Sequence, residues 1–234
     1  MAPKKRTVDR LVVPPPRDEA ELLARASALE GRTVGEIAAA LGVPLGSGAR
    51  TKGQAGALLE QVLGATGGSA AVPDFPALGV ELKTVPVDGR GAPRESTYVC
   101  TLPLADADRA EWSTSWARRK LACVLWVPLV TAAPVEPAGP RVGRAVLWRP
   151  TREQEAVLAA DFDEIVGLVG AGNVEALDAR VGRWLQARPK AAHGGVRTAA
   201  FGPGDERIVA LPRGFYLRAR FTGAILRDPA AVPP

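Results

Sequence analysis

Asp74-Phe-Pro-Ala-Leu-Gly-Val-Glu81-Leu-Lys83-Thr84 is the stretch from which this chain is read outward. A strand is predicted over Val80 to Val87, with Asp74 in the loop ahead of it. Alternation places Val80, Leu82 and Thr84 on one face and Glu81 with Lys83 on the other, about 7 Å apart along the chain. The separation of Asp74 from Glu81 lets the loop fold back and bring two carboxylates together. Two such charges about 4 Å apart repel by roughly 4 kcal/mol at an effective dielectric near 20. A hard divalent cation removes that cost. Mg²⁺ suits the arrangement, since it takes oxygen ligands and keeps several waters. Such an ion polarises a phosphate oxygen and acidifies a bound water, while a neighbouring lysine orients that water and stabilises charge on phosphorus. Taken alone, Glu-x-Lys also describes an ordinary ion pair on an edge strand.

Upstream, the pattern is helical. Asp18 starts a helix with Leu22, Leu23, Ala26 and Leu29 on one side and Gly31 as its stop. Thr33-Val-Gly-Glu36 has capping-box spacing ahead of a second helix, and a third is predicted from Lys52 to Leu63. The Thr33 to Gly42 segment looks like the first helix of a helix-turn-helix, but the connection to Thr51 contains three glycines and a proline and exceeds the 3–4 residues that motif allows. Downstream, Thr97 to Leu104, Leu121 to Val130 and Arg144 to Trp148 read as strands. Helices are predicted over Thr151 to Val169, with Thr151 and Gln154 as a second capping box, and over Val174 to Ala187. Ile208 to Leu211 and Phe215 to Leu217 read as short strands before a last helical turn or two near Phe221 to Leu226. Helices flanking a mixed sheet predict an α/β or α+β domain. Residues 1–17, with Lys4-Lys5-Arg6 and Pro14-Pro15-Pro16, read as a flexible basic and proline-rich arm before a domain over 18–234.

Composition narrows the function. The 234 residues are 47% hydrophobic, which suits a folded domain rather than a disordered chain. The nearly apolar run Leu121 to Val135 contains Pro128 and Pro134 and is shorter than the roughly 20 residues of a spanning helix. No secretory signal follows the basic start, so a cytoplasmic location is expected, with Cys100 and Cys123 as thiols. A net charge of +5 favours acidic partners without telling DNA from RNA. His193 is the sole histidine and sits in a loop-like Ala-Ala-His-Gly-Gly. Zinc-finger, HNH-nuclease and histidine-rich hydrolase centres therefore lack their ligands.

Ordered motifs then point further. Thr51-Lys-Gly, Leu58-Leu-Glu60, Asp74-Phe, Ala77-Leu-Gly-Val-Glu-Leu-Lys-Thr84, Val87-Asp88, Arg119-Lys-Leu121, Val124-Leu-Trp126, Arg188-Pro-Lys-Ala-Ala192, Leu211-Pro-Arg-Gly-Phe-Tyr-Leu217 and Phe221-Thr222 together resemble the MutH DNA mismatch-repair endonucleases, which are similar to the Sau3AI restriction enzyme. The likeness covers nearly the whole chain after residue 18. It implies an α/β restriction-endonuclease-like fold of the PD-(D/E)xK type, a mixed sheet flanked by helices, with two lobes forming a DNA cleft. It also implies Mg²⁺-dependent nicking of the unmethylated strand at hemimethylated GATC sites, activated by MutL after MutS marks a mismatch. By motif, Asp74 and Glu81 are the expected metal ligands, Lys83 the catalytic lysine, and Glu60 and Lys120 further acidic and basic site residues.

The same resemblance assigns DNA contacts. Arg188-Pro189-Lys190 lies in the family's site-reading segment, and guanine O6 and N7 are acceptors suited to rigidly held Arg or Lys. Tyr216 corresponds to the tyrosine near adenine N6, where a methyl group adds bulk and removes a hydrogen. Tyr98 stands where the family carries an aromatic near DNA. Lys52, at a helix N-terminus, is placed to meet phosphate. A chain of one catalytic unit is expected to act as a monomer. The rival readings are a Sau3AI-like enzyme cutting both strands and a DNA-binding module without hydrolysis.

Overall fold

The computed structural model describes residues 13–45, 51–68, 72–131, 138–178, 180–190 and 195–229, with only the backbone at Thr51 and Lys52. Most of the expected basic arm, residues 1–12, and His193 lie outside the described residues. In chain order the elements are α1 Glu19–Ser27, α2 Val34–Ala40, α3 Thr51–Leu63, β1 Glu81–Asp88, β2 Thr97–Thr101, α4 Trp116–Leu121, β3 Val124–Thr131, β4 Arg141–Val142, β5 Val146–Trp148, α5 Arg152–Gly170, β6 Leu185–Pro189, β7 Thr198–Phe201, β8 Arg207–Ala210, β9 Arg213–Leu217 and α6 Ala219–Arg227. The chain divides into two compact units, Met1–Gly91 with Leu125–Ala145, and Ala92–Val124 with Val146–Pro234.

In the first unit, local chemistry starts α1 and α2. The Asp18 side chain accepts the Glu21 N–H at 2.8 Å, and Thr33 and Glu36 exchange the two bonds of a capping box at 3.1 and 2.7 Å. Arg25 ties the proline segment to the helices, donating to the carbonyls of Pro14 at 2.6 Å and Leu63 at 3.1 Å while pairing with Glu21. α3 packs on α1, α2 and β1, and β1, β3 and β4 lie side by side in that order. Leu22, Leu59 and Leu63 are fully enclosed. Each such side chain contributes roughly 1.5–3 kcal/mol through removal of apolar surface from water.

The second unit is built on an antiparallel sheet in the order β2-β9-β6, with β7 and β8 as a separate pair. α5 starts at the expected capping box of Thr151 and Gln154 and packs on β6, stacking Phe162 on Phe215 of β9 with centroids 5.1 Å apart. Trp184 stacks on Phe221 of α6 at 4.1 Å. The strands thus divide between sheets instead of forming the single mixed sheet read from the sequence.

One expected helix is absent. Val174 to Ala187 forms a short 3-10 turn at Val174–Ala176, a loop, and then strand β6. The helical spacing rested on Val174, Leu177, Val181 and Leu185, of which Val174, Leu177 and Leu185 are buried all the same and Val181 is half-buried. Three features oppose a helix here. Asp178 captures the Arg180 N–H at 2.7 Å, Gly182 takes φ +73°, and β9 offers β6 a full ladder from Leu185↔Leu217 to Pro189↔Arg213. The predicted strand at Leu121 likewise starts later, because Ser115 caps α4 by accepting the Arg118 N–H. Among the described residues, no helix is long and apolar enough to cross a membrane. Cys100 and Cys123 are both buried.

Candidate active site

The turn ahead of β1 folds back as its sequence implies. Phe75 and Val80 exchange backbone bonds, the Phe75 N–H donating at 2.9 Å and the Val80 N–H at 3.3 Å. Gly79 closes the turn at φ +65°, where a side chain would be strained. Asp74 is held from two sides. Its carbonyl accepts the N–H groups of Thr66 and Gly67, both at 3.0 Å, and its Oδ2 accepts the Leu82 N–H at 2.8 Å. That last bond anchors the Asp74 carboxylate at the residue between Glu81 and Lys83. Lys83 Nζ lies 2.7 Å from Glu81 Oε1, with the Glu81 side chain 2% exposed and that of Lys83 17%. The ordinary reading of Glu-x-Lys as an exposed edge pair therefore fails: this pair is sunk into the unit. Keeping an acid and a cation buried together requires close geometry and further bonds, since desolvation opposes both charges.

The donor set fits Mg²⁺. Both carboxylates offer hard oxygens, and one is clamped by a backbone N–H. Among the described residues no group of three or more His, Cys, Asp or Glu side chains forms a metal cage. An ion that retains much of its water shell needs no such cage.

The remaining expected catalytic groups are distributed differently. Glu60 is a half-buried residue of α3, the helix that lies on β1; a methyl on Gly56, one turn earlier, would stand 3.8 Å from Thr84 Oγ1. Lys52 begins that helix, and its side chain lies outside the described residues. Lys120 belongs to the second unit, in α4, with Nζ 5.0 Å from the Trp116 ring centroid.

In the second unit, residues far apart in sequence become neighbours. Tyr98 of β2 and Gln186 of β6 both pair with Tyr216 of β9, and Arg188 pairs with Gly214. The Tyr98 and Tyr216 rings meet edge to face, centroids 5.3 Å apart. Lys190 Nζ lies 4.3 Å from the Tyr98 centroid, and Arg188 Cζ lies 6.0 Å from that of Tyr216. Pro189 ends β6, and the Lys190 N–H donates to the Pro212 carbonyl at 2.7 Å. Arg188, Pro189 and Lys190 are all exposed. Burial, and then the neighbouring Tyr98 hydroxyl, push the Tyr216 hydroxyl pKa up, so it stays neutral at physiological pH. The face thus presents two cations over two aromatic rings, a composition able to meet phosphates and base edges.

Sequence reasoning missed three residues here. Gln186 is buried on this face, its Nε2 donating to Ser96 Oγ at 2.7 Å. Gly214 lies against the edges of both tyrosine rings. Asp161 of α5, 5% exposed, accepts the N–H groups of Arg183 at 2.6 Å and of Trp184 and Leu185 at 2.7 Å, fixing the start of β6. Asp161 did leave a signal, as an acid among the apolar positions of an amphipathic helix.

Residues 63–161 match the family model described as DNA mismatch repair enzyme MutH. The chain is 46% identical over 218 residues to the DNA mismatch repair protein MutH of Escherichia coli K12, covering 93% of this chain and 95% of that protein. It is also 46% identical over 215 residues to the protein of the same name from Serratia proteamaculans, covering 91% of this chain and 94% of that relative.

Proposed function

The chain belongs to the MutH family of DNA mismatch repair enzymes, and from that premise we propose that this endonuclease nicks the unmethylated strand at hemimethylated GATC sites, with Mg²⁺ as its metal. The observation that carries the reading is the grouping of Asp74, Glu81 and Lys83, a buried acid–acid–lysine centre on one turn and strand. The fold in this reading is of the restriction-endonuclease-like PD-(D/E)xK type. MutL, directed by MutS, is the proposed activator, and the enzyme works as a monomer in the cytoplasm.

Asp74 and Glu81 would hold the ion, which when bound supplies Lewis acidity and an acidified water. Lys83 Nζ, placed beside Glu81, would orient the attacking water and offset negative charge developing on phosphorus. Glu60 and Lys120 are assigned as further acidic and basic groups. Lys52 meets phosphate, while Arg188, Pro189 and Lys190 read guanine edges and Tyr216 meets adenine N6 with Tyr98 beside it. Methylation removes one N6 hydrogen and adds bulk at the tyrosine, which separates the two strands.

A strand-resolved incision assay on a hemimethylated GATC duplex tests this directly. The expected result is nicking confined to the unmethylated strand and accelerated by MutL. Cutting of both strands would favour a Sau3AI-like restriction activity; tight binding with no incision would indicate a binding module. Chelation with EDTA is expected to stop incision while gel-shift binding to the duplex persists, and added Mg²⁺ restores nicking. In the same assay Tyr216→Ala is expected to lower the preference for the unmethylated strand roughly tenfold, the scale of one base contact. Unchanged preference in that variant would remove Tyr216 from the discrimination.

A further inference from the structure

Gly214 occupies a strand position at which glycine is locally unfavourable. It lies inside β9, paired with Thr101 on one side and Arg188 on the other, and glycine in a strand interior gives up packing and costs backbone entropy. Its backbone does not require glycine either, since it is absent from the positive-φ residues. The demand comes from space. A Cβ on Gly214 would stand 2.8 Å from Tyr98 Cε2, 3.1 Å from the Cys100 carbonyl oxygen and 3.3 Å from Tyr216 Cε2. Both obstructing rings belong to the face described above. The register between β2 and β9 shifts between Tyr98 and Cys100, so that Tyr98 pairs with Tyr216 while Thr101 pairs with Gly214.

We propose that Gly214 is a specificity-determining positioning residue: its missing side chain lets Tyr98 lie against Tyr216, and this ring pair sets the strand discrimination of the enzyme. The inference rests on the proposed function for the identity of the discriminated group. Any side chain at 214 must displace the Tyr98 ring, because the nearby Cys100 oxygen is strand backbone and cannot retreat without breaking the ladder. Displacement of that ring changes the 5.3 Å edge contact with Tyr216 and moves the surface on which Lys190 rests. The hydroxyl of Tyr98 lies 3.1 Å from Thr101 Oγ1, so the ring is held at its far end as well as at its edge. Gly214 belongs to the second unit, whereas Asp74, Glu81 and Lys83 belong to the first. Its loss therefore acts on discrimination rather than on the hydrolytic groups.

The test is Gly214→Ala in three backgrounds: wild type, Tyr98→Leu and Tyr98→Phe. Strand preference is measured on hemimethylated GATC duplex, incision rate on fully unmethylated duplex, and folding by thermal melting. In the wild-type background, strand preference is expected to fall roughly tenfold, with a smaller change in incision of unmethylated DNA. In Tyr98→Leu the flat ring is gone, so Gly214→Ala is expected to change preference less than twofold further. Tyr98→Phe keeps the ring, so the tenfold effect should persist there. Wild-type preference in Gly214→Ala, or an equal loss in all three backgrounds, overturns the role. A loss of folding in Gly214→Ala that Tyr98→Leu does not relieve also overturns it, since the obstruction would then lie with the backbone. Should the unsubstituted enzyme cut both strands alike, the proposed function falls first and this role falls with it; a discriminating wild type with an unaffected Gly214→Ala overturns this role alone.

Discussion

Lys83→Ala is expected to slow incision of a GATC duplex by roughly 10²–10⁴-fold while leaving DNA affinity within a few fold of the unsubstituted enzyme. The asymmetry follows from where Lys83 sits. Its ammonium is 2.7 Å from Glu81 and largely shielded from water, a position suited to a reacting phosphate and poor for long-range attraction of the DNA backbone. Phosphate affinity in a protein of this charge comes from its many exposed Arg and Lys side chains, of which Lys83 is not one. Single-turnover incision and gel-shift titration on the same duplex separate the two quantities. Lys83→Met retains most of the apolar stem and removes only the charge, so it should show the same kinetic loss with less disturbance of packing. Equal losses of binding and incision in both variants would contradict the catalytic assignment.

Asp161→Ala is expected to carry the largest stability loss, about 3–5 kcal/mol, because one carboxylate satisfies three consecutive backbone donors at the start of β6. Two of those bonds are buried, and water cannot readily replace the acceptor. The substitution also leaves a space under Gly182, whose φ of +73° shapes the same turn. For a chain of this length that loss lowers the melting temperature by roughly 10 °C. Asp161→Asn should fall between, since its amide offers one acceptor oxygen and sets an NH₂ group against the remaining donors. Denaturant unfolding of the two variants decides the matter: an Asp161→Ala protein within about 1 kcal/mol of the unsubstituted chain would show that the β9 ladder alone holds β6.

The helix starts were legible because their chemistry is local. Thr33 with Glu36 and Thr151 with Gln154 make the capping boxes read from their spacing, and the bonds close within one turn. The grouping of Glu81 with Lys83 was legible for a similar reason, since strand alternation puts both on one face and the turn at Gly79 returns the chain to it. Their burial was not legible. An alternating Glu-x-Lys reads alike on an exposed edge and in a buried setting, and only the tertiary packing around β1 separates those cases.

The capped helices, the Asp74-to-Lys83 turn and strand, and the family to which the chain belongs are all written in neighbouring residues or in ordered motifs. The turn at Val174–Ala176, the strand at Leu185–Pro189 and the common face of Tyr98, Gln186, Gly214 and Tyr216 emerge only from long-range packing. The difference lies in where the hydrogen bonds come from. A helix satisfies its backbone from residues four positions away, whereas β6 takes its partners from Asp161 on α5 and from β9, and no local spacing announces either.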